Sequence, residues 1–287
     1  MVGVNNSVLQ FFSTSAAYEV TKQHHNKWYA YGNGHPVKCL ERRLPPFQLI
    51  GLTETAVNID LVRVETGTSA NIFNIPANPT DIPGFTSIEV ETGVWNTYYD
   101  GVGQYTPATP KGEYYLEVEM TGATFYVSER FCITDDVSDM IKVTWWHEEN
   151  FTVEGGVIVY DAGFKNSMYI NSDLGRPLYP IDRQIVERGG FKYKVHQTRR
   201  KVFAFLFVAT EGIADFFTTI GLHDHVEITY AGDLYEVSDF LPSVRWLEIG
   251  DVCQIDVLAE TGAVTQTTGS GAVGAEYSLA YGDDYTS

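Results

Sequence analysis

Only a few residues in this chain have the types and spacing that chemistry requires. His223-Asp224-His225 sets two imidazoles two positions apart, on one face if the segment is a strand. Zinc takes three or four such donors, and no third ligand is identifiable. The triplet is therefore expected to be a post-helix turn running into a strand. Asp135, Asp136 and Asp139 are clustered enough to attract calcium. The alternating acids and central glycine of a calcium loop are missing, so a solvated linker is expected. Glu117 and Glu119 are paired carboxylates, but they lie side by side on one outward strand face rather than across a cleft, as glycoside hydrolysis requires. Trp145 and Trp146 could stack on a sugar; adjacent strand residues point to opposite faces, so one ring is expected in the core and the other at an interface. There is no G-x-S-x-G, phosphate loop, dinucleotide fingerprint or H-E-x-x-H. No enzyme, cofactor or metal site is expected.

The elements that would hold these residues are mostly strands. The chain has 287 residues, is 44% hydrophobic and 14% aromatic, and carries 18 Tyr and 16 Phe, a mix that favours sheets. Residues 1–45 are irregular and read as an N-terminal arm. Leu44-Pro45-Pro46 marks a boundary. Residues 46–138 show the short strands and turns of an immunoglobulin- or fibronectin-like β-sandwich. In Tyr114–Met120, Tyr114, Leu116, Val118 and Met120 share one face. On the return strand, Glu129 falls among apolar residues, which requires a bulge or a partly solvated edge. Residues 139–260 form a second β domain. Its strand Phe203–Val208 is apolar on both faces, so both must be covered, by the domain or by a partner subunit. One helix is expected over 211–220, with Ile213, Phe216, Phe217 and Ile220 on its buried stripe, Thr210 as cap and Gly221 as stop. Residues 171–200 read as a long polar excursion, and 261–287, rich in Gly, Ser and Thr, as a C-terminal arm. The expected fold is mainly β: two β-sandwich-like domains, the second with one packed α-helix, plus extended N- and C-terminal arms.

Charge is unevenly spread. The net charge is −18, which repels duplex DNA and argues against direct sequence-specific nucleic-acid binding. Seven of the 19 bases lie between Arg183 and Lys201: Arg183, Arg188, Lys192, Lys194, Arg199, Arg200 and Lys201. Only one acid, Glu187, accompanies them, and the rest of the chain holds 12 bases against 36 acids. Such a basic segment is expected to reach the acidic body of the next identical subunit, because opposed patches steer and register assembly. Head-to-tail contacts of that kind close into rings when the rotation allows. These seven residues, with Trp146, are the expected subunit-interface set. Cys39, Cys132 and Cys253 show no framework or zinc spacing and are expected as free thiols. Met1–Val20 lacks the basic start of a secretory signal, and no apolar run reaches the roughly 20 residues of a membrane span.

An ordered series of motifs carries a family resemblance. Gly112-Glu-Tyr-Tyr-Leu-Glu-Val118, Ile141-Lys-Val-Thr-Trp-Trp146, Phe164-Lys-Asn166 with Tyr169, Ser172-Asp-Leu-Gly-Arg-Pro177 with Tyr179-Pro180, and Lys201-Val-Phe-Ala-Phe205 follow in that order. The helix with His223-Asp224, then Trp246 with Gly250-Asp251, complete it. Together they resemble structural tail or ring-type virion proteins of crAss-like and related tailed bacteriophages of Bacteroidetes, over roughly Phe47 to Thr261. The chain departs from that family after Tyr179-Pro180, where the short basic stretch stands in place of an acidic, aromatic insert. The resemblance implies a virion component made in the host cytoplasm and built into the tail. It would form a ring-shaped homo-oligomer, in contact with other tail or portal-proximal proteins, with no catalytic residues. The rival expectation is a glycan- or receptor-binding baseplate or fibre module.

Overall fold

The structure is a computed structural model, and it describes residues 3–4, 9, 11–13, 37–53, 56–76, 82–99, 101, 103–105, 109–120, 124–153, 156–158, 160, 163–247 and 252–267. Short strands β1 (Gly3–Val4), β2 (Phe11–Ser13) and β3 (Lys38–Leu40) come first. The first unit holds β4 (Phe47–Thr53), β5 (Val57–Arg63), β6 (Ser69–Ile75), β7 (Phe85–Glu91), β8 (Val94–Tyr99), β9 (Gly112–Met120), β10 (Thr124–Ser128) and β11 (Phe131–Thr134). The second holds β12 (Ile141–Trp146), β13 (Phe151–Val153), β14 (Gly156–Ile158), β15 (Asn166–Ile170), β16 (Ile181–Arg188), β17 (Phe191–Thr210), α1 (Glu211–Thr218), β18 (His225–Tyr230), β19 (Asp233–Val237), β20 (Asp239–Trp246) and β21 (Val252–Thr267). The fold is mainly β with a single short α-helix among the described residues, as expected. No helix is long and apolar enough to cross a membrane among them.

In the first unit, a sheet ordered β1-β4-β8-β7 faces strands β6, β5, β9 and β10. Alternation explains which side is buried: Tyr114, Leu116 and Val118 of β9 are almost fully shielded, while Glu119 is exposed. Aromatic rings join the layers. Phe73 of β6 meets Phe85 edge-on at 4.8 Å, and Phe47 stacks on Tyr99 at 5.4 Å. Such pairs add roughly 0.5–1.5 kcal/mol each beyond the burial itself.

Of the two expectations for Glu129, a bulge or a partly solvated edge, the strand carries the bulge, and the residue is shielded from solvent. β10 ends at Ser128 and β11 begins at Phe131. Ser128 Oγ accepts from the Leu116 amide at 2.8 Å and donates to the Glu129 carbonyl at 2.7 Å. Glu129 is buried, and its Oε1 accepts a 2.8 Å hydrogen bond from Thr210 Oγ1, at the end of β17. The bulge therefore aims a carboxyl of the first unit into the second. β3 links the two units again: it runs parallel to β11 and antiparallel to β15, so one sheet continues from β9 through β11, β3, β15 and β12 to β18 and β19. The boundary expected at residue 45 therefore cuts off a strand that belongs to the body. The boundary at 260 falls inside β21, which continues to Thr267. Of the expected N-terminal arm, residues 3–4, 9, 11–13 and 37–45 are described, and of the C-terminal arm residues 261–267; the rest of both lies outside the described residues.

In the second unit, β15-β12-β18-β19 packs on a sheet ordered β16-β17-β21-β20. Helix α1 lies against this core: Ile213, Phe216, Phe217 and Ile220 are all buried, and Trp145 stacks on Phe216 at 6.0 Å. Thr210 sits at the cap position but makes no side-chain capping bond, because its hydroxyl is taken by Glu129. The helix ends at Thr218 rather than 220, and a 3-10 turn, Ile220–Leu222, follows. Gly221 is thus not the stop. Its role is close approach: a Cβ there would stand 2.3 Å from the Phe240 carbonyl oxygen of β20. Gly221→Ala is expected to cost roughly 1–3 kcal/mol, the usual range for overpacking, read as a lower urea midpoint with an unchanged slope.

Candidate functional site

The expected polar excursion is a folded ribbon. Gly189 and Gly190 both have positive φ, 59° and 78°, and form the two-residue turn that joins β16 to β17. That turn geometry matches strand twist and favours glycine at both positions. The end of β21 adds a third strand, with His196–Lys201 pairing back to Gly262–Thr267. β16 alone has eight residues, about 26 Å at the usual rise per residue. Ile181, Ile185, Val186 and Phe191 are exposed on it, with Phe191 at 69%. A strand pair that shows large apolar side chains to solvent on this scale is typical of contact surfaces.

Register sorts the seven expected bases. Ile181 lies opposite Arg199, Arg183 opposite Gln197, Ile185 opposite Lys194 and Glu187 opposite Lys192. A bulge between Gln184 and Ile185 keeps these pairs on one side. Arg183, Lys192, Lys194, Arg199 and Lys201 therefore share a face with Ile181 and Ile185. It is the same side of β17 that carries Phe203, Phe205 and Phe207 into the core. Lys201 marks the transition, with Nζ 5.0 Å from the Phe203 ring centre and 5.5 Å from that of Tyr235. Arg199 lies over Tyr179 at 4.5 Å. Arg200 points the other way and is already paired, with Asp182 and, at 3.5 Å, with Glu260. It ties strands together rather than facing outward. Arg188 flanks the turn, its backbone opposite Phe191.

The opposite side of the same sheet, over the body, is the second surface. Phe203–Val208 is expected to be covered on both faces, by the domain or by a partner subunit; within the chain its phenylalanine face is buried, and its other face is only partly covered. Leu206 is 53% exposed, Leu241 on β20 53% and Leu258 on β21 46%. Leu258 pairs with both Ala204 and Leu241 across the strands, so the patch is continuous. Asp256 lies between Leu206 and Ser243, and Glu260 pairs with Asp239, so acids border the leucines. Arg245 stands at the far end, bonded to Gln254 at 2.8 Å. One sheet thus carries a basic, isoleucine-bearing face on its ribbon and an acid-bordered leucine face on its body, on opposite sides.

The remaining expected residues lie elsewhere. Trp146 is on β12, where it stacks on His225 at 4.8 Å and lies under Lys165 Nζ at 3.4 Å, next to Tyr98 and Phe164. Its ring is occupied within the chain, and the structure does not bring it to the ribbon. His223 is buried and neutral in its bonding. Nδ1 donates to the Thr219 carbonyl at 3.0 Å, Nε2 accepts from Tyr160 at 2.8 Å, and Tyr160 accepts from Asn166 at 3.1 Å. Burial holds the imidazole below its ordinary pKa. Asp224 instead accepts from the Glu148 amide and lies 3.2 Å from His147. Asp136 accepts from the Ser138 amide at 2.8 Å, and Asp135 pairs with Lys111, as in a solvated turn. Among the described residues no group of three or more His, Cys, Asp or Glu is placed to hold a metal ion. The three cysteines are free thiols.

No protein-family model matches this chain. No curated protein matches it either. Among solved structures it is similar to the crystal structure of Dpr2 Ig1-Ig2 in complex with DIP-Theta Ig1-Ig3, with 12% identity over 82% of this chain and 92% of that chain and a TM-score of 0.16. At that score the likeness carries no argument.

Proposed function

We propose that this chain is a structural virion component of a tailed bacteriophage, present in many copies as a ring in the tail or collar. The ribbon is the observation that carries the assembly part of this reading. It is a three-stranded projection whose outward face carries five bases and one acid, Glu187, on a chain of net charge −18. The acid-bordered leucine face offers the complementary surface. Because the two faces lie on opposite sides of one sheet, a copy cannot satisfy both by itself, and pairing between copies is head-to-tail. The ordered motifs from Gly112 to Asp251 support the phage tail as its setting.

In this role the chain performs no catalysis. The paired sandwiches and α1 supply stiffness, and the ribbon and termini supply contacts to identical neighbours and to other tail or portal-proximal proteins. Immunogold labelling of purified particles of the phage that encodes this chain tests the setting. Label at the tail or collar is the expected result. Its absence from particles, with the protein found only in infected-cell lysate, would overturn it.

A further inference from the structure

Three cationic side chains, Lys38, Arg43 and Lys142, line one cleft on the seam between the two units. Lys38 of β3 lies directly opposite Tyr169 of β15, and Tyr169 lies opposite Lys142 of β12. Cross-strand partners share a face, so Lys38, Tyr169 and Lys142 stand in one row. The segment after β3 brings Arg43 to the same cleft, and Leu44, Pro46 and Ser167 help to close it. The cleft measures about 480 Å³, counting the part open to solvent. Lys38 is only 8% exposed. Among the described residues no carboxylate lies within 4.0 Å of Lys38, Arg43 or Lys142.

Clustered like charges in a partly enclosed site are costly unless an opposite charge joins them. Lys142 shows the strain: burial first, and then the charge of Arg43, hold its ammonium below the ordinary lysine value, against the weaker pull of Glu227. We propose that this cleft binds a phosphate-type oxyanion, which bridges the linking strand β3 to β12 and β15 of the second unit. A single carboxylate would neutralise one cation of three. A phosphate carries about −1.5 to −2 charge at neutral pH and three strong acceptor oxygens, which suits two lysines and an arginine. Ser167 and Tyr169 add hydroxyl donors to the lining. Burial raises the Tyr169 pKa, so its proton is retained at neutral pH. The site stands apart from the ribbon and does not depend on the assembly reading.

Calorimetric titration of the full chain with inorganic phosphate, at fixed ionic strength, tests the site. Saturable binding is expected, with a rise of about 5 °C in Tm at saturation. Arg43→Gln and Lys142→Gln should each weaken it at least tenfold; Lys38 is left intact because it is buried. In phosphate-free buffer both variants should be at least as stable as the parent, since each relieves repulsion, and phosphate should reverse that order. Sulfate should substitute for phosphate, and acetate should not. Equal shifts in parent and variants, or no binding by the parent, would overturn the site. Equal binding of acetate would overturn the assignment to a phosphate-type anion.

Discussion

A chain carrying Arg183→Glu, Lys192→Glu and Arg199→Glu together is expected to lose assembly, with each contact between copies weakened by about 100-fold. Exposed charge pairs contribute up to about 1 kcal/mol each. Reversing three of them replaces attraction with repulsion, and roughly 3 kcal/mol corresponds to that factor. All three residues lie on the ribbon face that register assigns to Ile181 and Ile185, and none of them packs in the core. The fold should therefore survive, which circular dichroism checks. Asp239→Lys with Asp256→Lys, on the leucine face, should be equally damaging alone. Mixing the two variants should restore assembly, because an acidic ribbon then meets a basic-bordered patch. Arg200→Glu behaves differently: it breaks the pairs with Asp182 and Glu260 and acts on ribbon stability. If the triple variant assembles as well as the parent, the ribbon is not the contact.

Glu129→Gln is expected to stabilise the chain at pH 8 by roughly 2–3 kcal/mol. Burial pushes the Glu129 carboxyl up to about 7, with the Thr210 hydrogen bond pulling weakly the other way. The folded pKa lies above the unfolded value, so the stability linked to this group is fully present below about pH 4.5 and is lost as pH rises through about 7. At 1.36 kcal/mol per unit, the loss at high pH is about 3 kcal/mol. Glutamine cannot ionise, and its carbonyl can still accept from Thr210. Urea unfolding at pH 5 and pH 8 separates the cases. The parent should weaken between the two and the variant should not; parallel behaviour would show that Glu129 carries no ionisation cost across the junction.

Much of this architecture is legible in the residues themselves. Alternation in Tyr114–Met120 and Ile141–Trp146, and the Ile213-Phe216-Phe217-Ile220 stripe, are local signals, and local signals survive folding. The exceptions are places where a tertiary partner competes. Thr210 has the residue type of a cap, but a buried carboxylate 81 positions away claims its hydroxyl. Gly221 has the residue type of a stop, but the carbonyl of Phe240 sets its need for glycine. The ribbon has a local signal: Gly189-Gly190 between Ile185-Val186 and Phe191 is a two-residue hairpin pattern, masked by the density of charge around it. Pairing of Gly262–Thr267 with the ribbon has no local signal, because that stretch has no regular apolar alternation of its own. The seven bases were found as a cluster, but only register divides them into an outward set of five, a paired Arg200 and a turn-flanking Arg188. The Lys38–Tyr169–Lys142 row depends on a strand from the expected arm lying beside β15, a long-range pairing with no local trace.

Sedimentation of the purified full chain across salt concentrations tests the central claim most directly. With the Debye length near 30 Å at about 0.01 M salt and near 3 Å at about 1 M, charge-registered contacts should form at the first and fail at the second. The account predicts a closed oligomer of many copies at low salt that falls to the 32.1 kDa chain at high salt. A 32.1 kDa species at every salt and protein concentration would contradict it.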